Sequence, residues 1–116
     1  PVIVVGRTAG DYLGEYIAGG VVIVLNEEDR DTSPVGRYAG TGMHGGAIFV
    51  RGPVHQHQVG AEVGFAEPDD DDWRLLSALI AEHCAAFDLD PRRFARTDFV
   101  KLYPHSTRPY GKLYSY

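Results

Sequence analysis

The chain has 116 residues, room for one domain or one domain with an appendage, and its single cysteine, Cys84, excludes an internal disulfide and suits a reducing compartment. Its longest uninterrupted aliphatic run, Val21 to Leu25, is far too short to cross a membrane, and no signal-peptide pattern is read at the start, so a cytoplasmic location is expected. The net charge of −5 hides a polarity: residues 1–91 hold 5 Lys/Arg against 15 Asp/Glu, whereas residues 92–116 hold 6 Lys/Arg and only Asp98. A short basic tail beside a more acidic body favours folding back or docking on an acidic partner over binding nucleic acid.

Val2–Val5 already reads as a strand, so the chain starts inside a structural unit, as a small protein or one piece of a longer polypeptide or assembly would. Next comes Gly10-Asp-Tyr-Leu-Gly-Glu-Tyr-Ile-Ala-Gly-Gly20, which runs into a second apolar strand at Val21–Leu25. Asn26 to Pro34 is a polar excursion, read as a surface loop. Gly36 to Val50 then repeats Gly10 to Val24 at a spacing of 26 residues, with six of fifteen positions identical, and ends in a third strand at Ala47–Val50. Residues 53–64 are less regular, and Gln58–Gly64 forms at most a weak further turn. Asp69–Asp72 supplies an N-cap and suits the positive end of a helix dipole. It precedes an amphipathic helix from Trp73 to Phe87, with Leu76, Leu79, Ile80, Cys84 and Phe87 at helical spacing. Asp90-Pro91 opens a short second helix, and Phe99–Tyr103 is a strand or extended segment.

A fixed period with recurring turn chemistry predicts a mainly β fold, a stacked parallel β-helix over residues 1–66, with a helical appendage and basic, tyrosine-rich tail over 67–116. Coils stack about 4.8 Å apart, so side chains at tight corners collide with the next coil and some corners need positive φ. Gly10, Gly14, Gly19, Gly20, Gly36, Gly40, Gly42, Gly45 and Gly46 are assigned as these corners. Tyr12 and Tyr38, at matched positions, are expected to stack, and the helix to cap an open end or cover a face.

Catalytic chemistry is sparse. Gly40-Thr-Gly-Met-His-Gly45 spells G-x-G-x-x-G, but a dinucleotide site needs that motif between a strand and a helix, and here a strand follows. Glu62 stands near the spacing of the ribose-binding acid without the second strand end it requires. His44, His55 and His57 lack zinc-ligand spacing and read as exposed loop histidines. His83 and Cys84 diverge by about 100° on a helix, and Cys84 falls on the apolar face as an inert thiol. The Asp69–Asp72 run is a solvated helix start, and Ser106-Thr-Arg108 offers no nucleophile elbow. No catalytic, cofactor-binding or metal-binding residue is assigned.

The two glycine segments, and above all Gly42-Met-His-Gly-Gly-x-Ile-x-Val-Arg-Gly52, resemble the GXGXG domain of the glutamate synthase large subunit. The same module occurs in the C subunit of formylmethanofuran dehydrogenase and in stand-alone glutamate-synthase-related proteins. The resemblance covers roughly the first 65 residues, and Pro104-His-Ser-Thr-Arg-Pro-Tyr-Gly-Lys-Leu-Tyr114 is closer to the stand-alone or subunit-type members. It implies a right-handed parallel β-helix with about twice as many coils as this chain offers. It also implies a scaffolding role in a glutamine amidotransferase-linked oxidoreductase, with FMN and the iron–sulfur cluster on partner domains. A formylmethanofuran dehydrogenase or methylglutamate-synthase-type complex is the alternative host, and a small nucleotide-binding protein a further one. Glutamine amidotransferase and FMN-binding synthase domains, or a homo-oligomer, are the expected partners. Tyr103, Arg108, Tyr110 and Tyr114 are the expected docking element.

Overall fold

The computed structural model describes residues 2–14, 18–27, 31–60 and 62–104. The three β-branched runs form β1 (Val2–Val5), β2 (Val21–Val24) and β3 (Ala47–Arg51), because their stiff side chains fit a pleated surface better than a helical turn. They pair in parallel, Val2 opposite Val21 and Val21 opposite Ala47. The β2–β3 register therefore runs at the 26-residue period of the glycine repeat. Loops between the strands also meet: Ala9 N–H donates to Pro34 O at 2.8 Å, Tyr12 N–H to Arg37 O at 2.8 Å, and Gly40 N–H to Leu13 O at 2.7 Å.

The expected parallel β-helix does not form. Two further strands, β4 (Val63–Ala66) and β5 (Phe99–Pro104), flank the helix α1 (Asp70–Phe87) in sequence. β5 runs antiparallel against β3, with Val50 opposite Val100, and β4 antiparallel against β5. A fourth parallel coil would need the edge of β3 that β5 already occupies. The result is an α/β fold with an open mixed sheet in the order β1-β2-β3-β5-β4. Two repeat copies are enough to set three parallel strands, and they carry no information about the chain beyond the third.

Alternation along the strands divides the core between the two faces of the sheet. Ile23, Leu25 and Phe49 point to one side, where they meet Leu76, Ile80 and Cys84 of α1 together with Phe94 and Phe99. Val22, Val24, Ile48, Val50 and Leu102 point to the other, against Val63 of β4 and the loop residues Val35, Ala39, Met43 and Val59. Each fully buried aliphatic side chain contributes about 1.5–3 kcal/mol, so the stripe on α1 fixes it to the sheet far more strongly than helix propensity could. Phe87, at the end of that spacing, stays largely exposed.

The helix starts where the acidic run directs. Asp69 Oδ1 accepts the Asp72 N–H at 2.8 Å, and the Asp69 N–H donates to Asp72 Oδ2 at 3.0 Å, a reciprocal cap. Asp88 ends it in the left-handed region at φ 56°, which aspartate tolerates better than most residues. Asp90 and Pro91 open only a single 3-10 turn, Pro91–Arg93. Ion pairs then tie the acidic start of the helix to the C-terminal part of the fold: Lys101 Nζ lies 3.1 Å from both Asp72 oxygens, and Arg96 reaches Asp70 at 2.8 Å and the Pro68 carbonyl.

Candidate functional site

The turn chemistry of the repeat is concentrated at one side of the parallel strands. Gly14, Gly20, Gly40, Gly42 and Gly46 all have positive φ. Gly46 has two reasons to be glycine: φ is +75°, and a Cβ there would lie 2.7 Å from the Gly20 carbonyl oxygen. Gly36 and Gly45 are pressed by the preceding copy, the first by the Asp11 side chain and the second by the Ala18 carbonyl. Their counterparts Gly10 and Gly19 face open space. Tyr12 and Tyr38 also sit in the left-handed region, at φ 62° and 63°, an unusual state for bulky residues, and it recurs at the matched positions. Their rings stack at 5.0 Å with 17° between planes.

The G-x-G-x-x-G stretch is a turn between two extended segments. Ala39 bridges Val59 in parallel on one side, the Met43 N–H returns to Gly40 O at 3.0 Å, and β3 begins at Ala47. Phosphate binding by this motif depends on a helix N-terminus, and this turn leads into a strand instead. Glu62 stands exposed in the turn before β4, at φ 65°.

The most elaborate polar arrangement surrounds Arg51, at the end of β3. Its side chain is 8% exposed, and its guanidinium donates to Asn26 O at 3.0 Å and Arg93 O at 3.1 Å, with Leu25 O at 3.5 Å. Asp98 Oδ2 lies 3.5 Å from Nε, and the Phe94 ring lies 4.8 Å beneath the cation. Only arginine's flat fork of donors can meet carbonyls from two chain segments while stacking on an aromatic face. The arrangement joins the exit of β2 to the 3-10 turns Pro91–Arg93 and Arg96–Asp98, which lead into β5. Arg93 in turn donates to the Glu27 carbonyl, and Glu27 Oε2 lies 2.7 Å from His83 Nε2 on α1. Sequence reasoning noted Arg51 only as part of a motif and missed Glu27 altogether, because their partners lie 25 to 66 positions away.

The remaining sequence candidates are dispersed. His44, His55 and His57 are exposed, and the last two stack on each other with ring centroids 5.7 Å apart. Among the described residues no group of three ligating side chains is close enough to hold a metal ion. Burial, and secondarily the Glu27 charge, pushes the Cys84 thiol up from its ordinary value, which keeps it protonated and unreactive. Tyr103 lies in β5, where its ring covers Gly64 of β4 and fills the space a side chain there would need. Arg108, Tyr110 and Tyr114, like Ser106, lie outside the described residues.

The glycine turns, the parallel strands and the Arg51 anchor all fall within one recognisable module: a model of the GXGXG motif family matches residues 1–105. The chain belongs to that family. The match takes in α1 and β5 as well as the glycine repeats, so it reaches well beyond the first 65 residues. The family is linked to glutamate synthase-type proteins. An uncharacterized protein of Methanocaldococcus jannaschii is 41% identical over 121 residues, covering 99% of this chain and 46% of the relative. The chain thus spans about half the length of that relative. Among the described residues no helix is long and apolar enough to cross a membrane.

Proposed function

We propose that this GXGXG chain is a structural domain or subunit of a glutamate-synthase-like, glutamine amidotransferase-linked oxidoreductase, acting by holding catalytic partners in place. The observation that carries this reading is the use made of Arg51, the charged residue of the motif's most specific stretch. Its Nη1 and Nη2 donate to the carbonyls of Asn26 and Arg93 and its cation lies on Phe94, so the buried side chain ties chain segments of the fold together. FMN and the iron–sulfur cluster would then reside on the partners, and the basic tail carrying Arg108, Tyr110 and Tyr114 would help to dock them.

Affinity purification from the native source, coupled to mass spectrometry, tests the reading. Amidotransferase and FMN-binding synthase polypeptides should co-purify in fixed ratio, and deletion of residues 105–116 should weaken their recovery. Recovery of molybdenum- or tungsten-enzyme subunits in their place would assign the chain to a formylmethanofuran-dehydrogenase-type complex and overturn it.

A further inference from the structure

Two chain segments enclose a cavity that neither the glycine turns nor the Arg51 junction accounts for. It has a volume of about 110 Å³ and lies between the link from β4 to α1 and the 3-10 turn that precedes β5. Glu67, Pro68, Arg96, Thr97 and Phe99 line it. Pro68 and Phe99 are buried and supply apolar walls, and the Phe99 ring packs on Trp73 with centroids 6.2 Å apart. Glu67 and Thr97 are exposed and form the solvent-facing rim.

Arg96 braces the cavity. Its Nε and Nη2 donate to the Pro68 carbonyl at 3.1 and 2.8 Å, and its Nη1 donates to Asp70 Oδ1 at 2.8 Å. One side chain thereby ties the two walls together, so the space is formed before any guest arrives. Its charge is met by Asp70, and the neighbouring cations are also taken, Arg74 by Asp71 and Lys101 by Asp72. Glu67 is different. Among the described residues its carboxylate has no counter-ion and the Thr97 hydroxyl has no hydrogen-bond partner.

Apolar walls with a few convergent polar groups are the usual make-up of a small-molecule site. Here the polar groups select the sign of the guest. An anion would meet the unpaired Glu67 carboxylate and find the Arg96 charge already neutralised, whereas a cation gains from Glu67 and loses nothing to Arg96. Size sets the rest. A cavity of about 150 Å³ admits benzene, so this smaller one admits about four or five non-hydrogen atoms. We infer that the cavity binds a primary ammonium group on a short aliphatic chain. The ammonium donates to Glu67 and to Thr97 Oγ1, and its carbons lie against Pro68 and Phe99. A free alkylamine and the end of a lysine side chain share this chemistry. The site does not depend on which complex hosts the chain.

The test titrates the isotope-labelled full chain with n-butylammonium chloride and, separately, with sodium butyrate, following backbone amide shifts by NMR. Butylammonium should give saturable shifts centred on Glu67, Thr97 and Phe99, and butyrate should give none there. Glu67→Gln and Thr97→Val, both at exposed positions, should keep the thermal unfolding of the parent and each weaken binding severalfold. Absence of saturable shifts would leave the cavity a water-filled gap and overturn the proposal. An equal response to butyrate, or binding undiminished by Glu67→Gln, would overturn it too. A blocked peptide, acetyl-Gly-Lys-Gly-amide, separates the two sources of the ammonium group. Binding at least as tight as that of butylammonium assigns the site to a lysine side chain, and weaker binding assigns it to a free amine.

Discussion

The Asp11 carboxylate accepts the Arg37 N–H at 2.7 Å and fills the place that a side chain on Gly36 would take. One aspartate thereby closes the contact between the two repeat copies and makes a glycine obligatory 25 residues later. Gly36→Ala should displace Asp11 or the turn, costing about 1–3 kcal/mol, as overpacking of a tight site does. Gly10→Ala, with open space at the matched position, should stay within about 0.5 kcal/mol of the parent. Urea unfolding of the two variants decides this, and equal losses at both positions would contradict the account.

Arg51 is the second point at which the fold is held by one side chain. Arg51→Met keeps much of the apolar stem but removes the donors to the carbonyls of Asn26 and Arg93 and the cation beside Asp98. Removing one partner from a buried charge site costs about 3–5 kcal/mol, so the variant should unfold at markedly lower urea concentration. Arg51→Lys should recover little of the loss, since an ammonium cannot reach two carbonyls and stack on Phe94 at once. A lysine variant as stable as the parent would show that charge alone matters there.

The parts of this fold that sequence reveals are those with local or periodic causes. β1, β2 and β3 are short runs of branched residues bounded by glycine, and the 26-residue repeat fixes the parallel register of the last two. The reciprocal Asp69–Asp72 cap and the Leu76–Ile80–Cys84 stripe are likewise readable within one helix. β4 is not: Val63-Gly-Phe-Ala66 is four residues long and contains a glycine, and its partner β5 comes only after the whole of α1. Nothing local says that β5 enters between β3 and β4, and extending the repeat beyond its two copies gives a solenoid in its place. The Arg51 junction escapes for a related reason, since backbone carbonyls at residues 26 and 93 leave no trace in side-chain identity.

The stacked pair Tyr12 and Tyr38 combines an unfavourable backbone state with a favourable ring contact. Asparagine accepts the left-handed region more readily than tyrosine but cannot stack. Each single Tyr→Asn change therefore relieves backbone strain while breaking one side of the pair. A double-mutant cycle isolates the stacking contribution, expected at about 0.5–1.5 kcal/mol for a well-placed aromatic pair. A coupling indistinguishable from zero would mean that backbone packing alone sets the two turns.

Asp69 makes the start of α1 dependent on pH. The hydrogen bond from the Asp72 N–H, chiefly, holds its carboxyl below the usual value of 3.8 in the folded chain. A carboxylate whose folded value is depressed adds stability that is present above its unfolded value, about 3.9, and is lost as pH falls through the lower folded value. The parent should therefore be more stable than Asp69→Ala at neutral pH, and the gap should close as the solution is taken below about pH 4. Asp69→Ser can cap without titrating, so its advantage over the alanine variant should persist through the same acid range. Urea midpoints for the three proteins across this range give the answer. A parent–alanine gap that stays constant from neutral pH into strong acid would show that the Asp69 cap is not formed by the ionised carboxylate.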